Sequence, residues 1–301
     1  MTDRILTLLR DIADIILPRH CCICGRRLKA EEEQLCIKCW ALLPFTNIHG
    51  EQGNGIERIF WGKIPIVRAN SFIHYQANNY TILPILQLKY ANNAEMGIYL
   101  GQCMAEDLID SEFFTAIDYI VPIPLSSSRL KKRGYNQSEM LAKGVSKITE
   151  IPIATDLIIR KTDNATQTRL TAQQREENVQ NIFEMQRSEE INGKHLLLID
   201  DVITTGATIL SCAQKLCEVE GVRISVLTAY VAGSHPKGIS SHAKSQETYI
   251  YQHLLRHSPT SYIHTIRSRN TDWRYCFSTY SFTAFATCMY CHQSAFIGCL
   301  L

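Results

Sequence analysis

The sequence predicts an α/β fold: a parallel sheet with helices on both faces, preceded by a small zinc ribbon. Two observations carry this. Leu196-Leu-Leu-Ile199 is an unbroken aliphatic run, the pattern of a strand buried on both faces of a parallel sheet. A helix with apolar positions at Ile209, Leu210, Ala213, Leu216 and Cys217 follows it. Near the N-terminus, Cys21-x-x-Cys24 and Cys36-x-x-Cys39 stand eleven residues apart, which suits two knuckles around one tetrahedral metal.

In chain order, Ile5, Leu6, Leu8, Leu9, Ile12, Ile15 and Ile16 have helical spacing and are broken by Asp3, Asp11 and Asp14. They predict a short amphipathic helix ending before Pro18, not a signal peptide. The four cysteines then form a closed zinc site with a structural role, since four thiolates leave no position open for chemistry. Cys22 is surplus to this set, and His20 is a weaker alternative ligand to Cys21. Residues 41–70, with Pro44, Gly50, Gly53, Gly55, Gly62 and Pro65, read as a connector. A strand is expected over 71–75, helices over 80–88 and 97–109, and a strand over 116–121. Pro122-Ile-Pro124 stiffens the loop after that strand.

Arg129-Leu-Lys131-Lys132-Arg133 is the densest basic stretch. It reads either as a solvated helix face or as an anion-binding loop. A helix is expected to begin at residue 136. Residues 157–160 suggest a strand, 166–178 a loop that covers a ligand or an exposed helix, and 223–231 the last strand. The expected domains are 1–60 for the helix, ribbon and connector, 61–232 for the sheet domain, and 233–301 for an atypical, poorly ordered extension.

The chemistry concentrates at Asp200-Asp-Val-Ile-Thr-Thr-Gly-Ala-Thr208, where the aliphatic strand meets its helix. Ligands of open α/β sheets bind at that end of the strands. The helix N-terminus, Gly206 and the hydroxyls of Thr204, Thr205 and Thr208 suit a phosphate, with Ala207 keeping the turn small. The paired carboxylates of Asp200 and Asp201 suit a vicinal diol, and repel each other when nothing is bound. A phosphate cradle beside a diol acceptor describes a site for a ribose 5-phosphate.

Net charge is +2, so bulk electrostatics give no argument for nucleic acid. Residues 233–301 carry six Lys/Arg and two acids, which leaves 25 Lys/Arg against 27 acids before them. That extension also holds six of the ten histidines and four of the twelve cysteines, without an amphipathic period. A shifted reading frame fits this composition better than extra metal binding or the haem-attachment pattern Cys288-Met-Tyr-Cys291-His292. No run of 18 apolar residues appears, so no membrane span is expected. Clustered, metal-spaced cysteines point to a reducing, cytoplasmic location.

The Asp200–Thr208 run resembles the phosphoribosyl pyrophosphate (PRPP) loop of type I phosphoribosyltransferases. Together with the two cysteine pairs, Leu88-Lys89-Tyr90, Val121-Pro-Ile-Pro124, Arg133-Gly-Tyr-Asn-Gln137, Thr166-Gln-Thr-Arg-Leu170, Arg175 and Asn178, it resembles the ComF family of competence and DNA-utilisation proteins. That resemblance spans residues 18–232. It implies a type I phosphoribosyltransferase-like sheet with a zinc ribbon. It makes Asp200, Asp201, Thr204, Thr205, Gly206, Ala207 and Thr208 the PRPP-binding residues, with magnesium accompanying PRPP. It places Arg129, Lys131, Lys132 and Arg133 on the side of the pyrophosphate or of DNA. Three activities are compatible with it: binding single-stranded DNA together with PRPP during DNA uptake or utilisation, alongside DNA-processing proteins; transferring ribose 5-phosphate to a nitrogen acceptor; or sensing PRPP without turnover. Tyr135, Trp40 and Trp61 are the aromatic residues considered for base stacking. No residue is assigned a catalytic role. A glutamine-dependent amidotransferase is not expected, because the chain begins Met1-Thr2-Asp3 rather than with a cysteine nucleophile.

Overall fold

The computed structural model describes residues 18–76, 79–161 and 182–233. The helix expected over 5–16, the loop over 166–178 and all but the first residue of the C-terminal extension lie outside them. The strands are β1 (Ile66–His74), β2 (Tyr119–Pro122), β3 (Ile158–Arg160), β4 (Phe183–Met185), β5 (His195–Ile203) and β6 (Arg223–Val231). The helices are α1 (Ile37–Ala41), α2 (Leu83–Tyr90), α3 (Ala94–Leu108), α4 (Ser127–Arg133), α5 (Gln137–Thr149) and α6 (Ala207–Leu216). Short 3-10 turns lie at Glu57–Ile59, Tyr80–Ile82, Glu112–Phe114 and Glu189–Ile191.

β1, β6, β5 and β2 form a parallel sheet in that order. Side chains alternate across a strand, so β5 and β6 supply both faces. Leu197, Ile199, Leu227 and Ala229 share one core with Leu100 and Met104 of α3 and Leu141 and Val145 of α5. Leu196, Leu198, Ile224 and Val226 share the other with Ile209, Cys212, Ala213 and Leu216 of α6. Helices therefore cover both faces, as the aliphatic run predicts. The α3–α5 pair owes its close approach to two glycines. A Cβ on Gly144 would stand 2.1 Å from the Ile98 carbonyl oxygen, and one on Gly101 would stand 2.1 Å from that of Leu141. β3 and β4 pair with each other, antiparallel, in a separate two-stranded sheet.

The strand expected at residue 71 begins at Ile66. Polar residues disguise its first half. Arg68 lies 3.8 Å from Glu57 in an ion pair, and Asn70 is buried. The segment before it does more than connect. β1 is an edge strand, and its free side is covered: the His74 N–H donates to the Pro44 carbonyl (2.8 Å) and the Thr46 N–H to that of Phe72 (3.0 Å). Asn54 Nδ2 donates to the Ala69 carbonyl (2.8 Å), and Glu57 Oε1 accepts the Ala69 N–H (3.3 Å). Covering an edge in this way blocks unwanted strand pairing. Ile56 and Phe60 of the same segment are buried in the α6-side core.

Candidate functional site

β5 continues through Ile203, so both acids lie within the strand. β2 ends at Pro122, which is aligned with Ile199 of β5. Asp200 is thus the first β5 residue without a β2 neighbour, where the sheet opens at the carboxyl ends of its strands. Asp200 Oδ1 accepts Ser138 Oγ–H (3.0 Å) and the Asp201 N–H (2.9 Å). Burial, and then the adjacent Asp201 charge, push the Asp200 carboxyl up to about 7. Asp201 turns to another partner: its Oδ2 lies 3.0 Å from Lys89 Nζ, at the end of α2. The expected repulsion between the acids is therefore answered twice, by a lysine on Asp201 and by a raised pKa on Asp200.

After Ile203 the chain turns at Thr204, Thr205 and Gly206 and enters α6. Ala207 and Thr208 are its first two residues, not part of a loop. Gly206 has φ +77°, and a Cβ there would lie 2.7 Å from Ile59 Cγ2. Both its conformation and its surroundings require glycine. Thr204, Thr205 and Ala207 are exposed, so the α6 N-terminus opens to solvent beside the acid pair. First-turn N–H groups there carry partial positive charge.

The basic stretch forms α4, none of whose residues is buried. Arg129, Lys131 and Lys132 are exposed on this helix rather than on a loop, an arrangement open both to a solvated face and to an anion contact. Arg133 is held differently. Its Nη1 donates to Gln137 Oε1 (2.7 Å), and its guanidinium lies 5.6 Å from the centre of the Tyr90 ring. Tyr135 donates its hydroxyl to the Leu88 carbonyl (2.6 Å). Asn136 caps α5 by accepting the Ser138 N–H (3.1 Å), while its Nδ2 donates to the carbonyl of Ile123, just past β2 (3.0 Å). Residues 133–138 thereby tie the ends of α2, β2 and β5 together.

Sequence pattern alone does not mark Lys89, Tyr90 and Ser138 as site residues. Each falls in or beside a motif, but only the fold aims Lys89 and Ser138 at the acids and sets Tyr90 against Arg133. Among the aromatic residues considered for stacking, Trp40 is ruled out: it is buried against Phe45, Phe72 and Tyr99. Tyr135 is half-buried with its hydroxyl engaged, whereas Trp61 is 51% exposed beside Arg58 and Tyr90 is 71% exposed.

At the other end of the described chain, the Sγ atoms of Cys21, Cys24, Cys36 and Cys39 lie within 4.8 Å of one another. Cys24 and Cys36 are 3.7 Å apart. Tetrahedral zinc with Zn–S of about 2.3 Å would separate its sulfurs by about 3.8 Å, so the four residues fit zinc. The Cys36 N–H points at Cys21 Sγ (3.4 Å). Burial opposes ionisation of Cys21, but the N–H groups of Cys24, Cys36 and Ile23 outweigh it and bring the thiol down to about 7. Cys22 packs against the core instead, where burial pushes it up to about 12. His20 is exposed and pairs through its backbone with Arg27. The regular cysteine set is the one assembled.

A phosphoribosyl transferase domain model matches residues 132–260, and a double zinc ribbon domain model matches residues 12–50. The DNA utilization protein YhgH of Escherichia coli is 28% identical over 200 residues, 65% of this chain and 83% of that protein. Competence protein F of Haemophilus influenzae is 37% identical over 98 residues, 32% of this chain and 43% of that protein. Competence protein ComFC of Bacillus subtilis is 32% identical over 99 residues, 33% of this chain and 38% of that protein. The chain is thus similar to DNA utilization and competence proteins, with a phosphoribosyl transferase domain and a double zinc ribbon matched along it. Its sheet is of the phosphoribosyltransferase type, and its N-terminal cysteines are those of a zinc ribbon. Among the described residues, no helix is long and apolar enough to cross a membrane.

Proposed function

We propose that the chain binds PRPP or a related ribose phosphate and takes part in DNA uptake or DNA utilisation. The observation that carries the ligand reading is the Asp200–Asp201 pair, set just past the end of β2 and opening onto Gly206 and the α6 N-terminus. Thr204, Thr205 and Thr208 and the N–H groups from Gly206 to Thr208 would hold a 5-phosphate. Asp200 and Asp201 would accept from the ribose hydroxyls. Magnesium, if it accompanies the ligand, supplies charge neutralisation at the pyrophosphate. The DNA role is supported by the relatives, which are DNA utilization and competence proteins, and by the exposed cations Arg129, Lys131 and Lys132 on α4, whose last residue, Arg133, lies over the exposed ring of Tyr90. Deoxyribose lacks a vicinal diol, so a DNA strand would lie along α4 rather than on the acid pair.

The same site suits either turnover or sensing. In turnover, a nitrogen lone pair attacks C1 of PRPP, the C1–O bond breaks, its electron pair leaves with pyrophosphate, and the nitrogen loses its proton to solvent. Calorimetric titration of PRPP and single-stranded DNA on one preparation, followed by an assay for pyrophosphate release, tests the proposal. Saturable PRPP binding with release indicates a transferase, and binding without release a sensor. Absence of PRPP and ribose 5-phosphate binding would overturn the ligand reading.

A further inference from the structure

We infer that Lys89 is a specificity-determining residue of this site: it holds Asp201 with one N–H and offers its remaining donors to an anionic group on C1 of a bound ribose 5-phosphate. The inference rests on the ribose 5-phosphate reading above.

Lys89 Nζ lies 3.0 Å from Asp201 Oδ2, with side-chain exposures of 20% and 15%. This is not a loose surface pair. Lys89 sits in the last turn of α2, and that turn is fastened by Tyr135 to the Leu88 carbonyl and by Arg133 over Tyr90. An ammonium has three donors and a carboxylate has two acceptor oxygens. The Lys89 contact with Oδ2 therefore leaves Asp201 Oδ1 for a ribose hydroxyl and leaves Lys89 two N–H groups. The segment that fastens Lys89 is also bonded, through Asn136, to the Ile123 carbonyl at the turn after β2. A fixed cation thus stands beside the diol acceptors on the β2 side of the site. The α6 N-terminus accounts for the 5-phosphate, and the acid pair accounts for the hydroxyls. Among the described residues, Lys89 is the cation paired with this acid pair, and its remaining donors suit a substituent at C1. A neutral C1 hydroxyl gives it no counter-charge, whereas a diphosphate does.

The test uses full-length, zinc-loaded protein with Lys89→Met, Lys89→Gln and Lys89→Arg, each checked by a melting curve. Calorimetry is run in magnesium with three probes: PRPP, ribose 5-phosphate and inorganic pyrophosphate. Loss of the lysine should weaken PRPP and pyrophosphate by at least about tenfold while ribose 5-phosphate stays within about threefold, and Lys89→Arg should recover most of the loss. Glutamine keeps a donor for Asp201, so it reports the anion contact if the methionine variant does not fold. Equal weakening of all three probes would reduce Lys89 to support for Asp201 and overturn the inference, as would unchanged pyrophosphate binding. Wild-type protein that binds pyrophosphate but neither sugar phosphate would instead overturn the ribose 5-phosphate reading. Wild-type protein that binds none of the three overturns both.

Discussion

Ser138 Oγ donates to Asp200 Oδ1 across 3.0 Å, so the first turn of α5 is bonded to the carboxyl end of β5. Ser138 is itself placed by the Asn136 cap, which fixes where α5 begins. One capping residue thereby sets the position of an acid 64 residues later in the chain. The bond favours the charged carboxyl, yet burial and the neighbouring Asp201 charge outweigh it and leave Asp200 near 7.

A pH signature follows. An unfolded aspartate titrates near about 3.9, well below the folded value. A pKa raised by folding contributes stability that is fully present below the unfolded pKa and is lost as pH rises through the folded one. Asp200→Asn keeps an oxygen for Ser138 and for the Asp201 N–H but cannot titrate. The wild type should therefore lose stability relative to this variant between about pH 4 and 7, by about 1–2 kcal/mol once its partial exposure is discounted. Urea unfolding of both proteins across that range checks this, and parallel curves would refute it.

Zinc should bind one to one at Cys21, Cys24, Cys36 and Cys39. Trp40 follows Cys39 and packs on Phe72 of β1, so the effect of metal loss should extend beyond the ribbon. Cys36→Ser, or a strong chelator, should release the metal and shift Trp40 emission to the red as its ring meets water. Metal analysis that finds no zinc in reduced, intact protein would contradict the site.

The exposed face of α4 is open to a direct electrostatic test. Arg129→Gln, Lys131→Gln and Lys132→Gln together should weaken single-stranded DNA binding and flatten its salt dependence by about 2 log units per log unit, at about 0.7 per lost phosphate contact. Arg133 is left intact, because its hydrogen bond to Gln137 and its cation–ring contact with Tyr90 would confuse charge with structure. An unchanged slope would show that these cations only solvate the helix.

What the sequence made legible was local. The β5–loop–α6 run and the cysteine knuckles are each contiguous, and their spacing alone defines their geometry. The start of β1 was hidden because Arg68 and Asn70 read as polar loop residues until Glu57 and the covering segment are in place. Trp40 looked available for stacking because its ring partners are scattered from Phe45 to Tyr99. Lys89 and Ser138 reach the acids from distant helices. Such contacts depend on crossing geometry, which no periodicity encodes.

The Lys89–Asp201 pair gives the last prediction. Asp201→Asn leaves Lys89 a charge that is one-fifth exposed and has lost its counter-ion, so the variant should lose about 1–3 kcal/mol of stability. This sets it apart from Asp200→Asn, which should gain stability at neutral pH. Adding Lys89→Met to Asp201→Asn removes the stranded charge and should restore part of the loss, with a coupling of about 1 kcal/mol in the double-mutant cycle. Ligand binding should behave differently. Asp200→Asn with Asp201→Asn places amide donors where the ribose hydroxyls need acceptors, so sugar phosphate affinity should fall at least about tenfold even though one substitution stabilises the fold and the other destabilises it. Melting curves and calorimetry on the wild type, Asp200→Asn, Asp201→Asn and the variant with both substitutions separate the two effects. If affinity simply tracked stability across the set, the acids would be structural, and the case for a diol at β5 would fail.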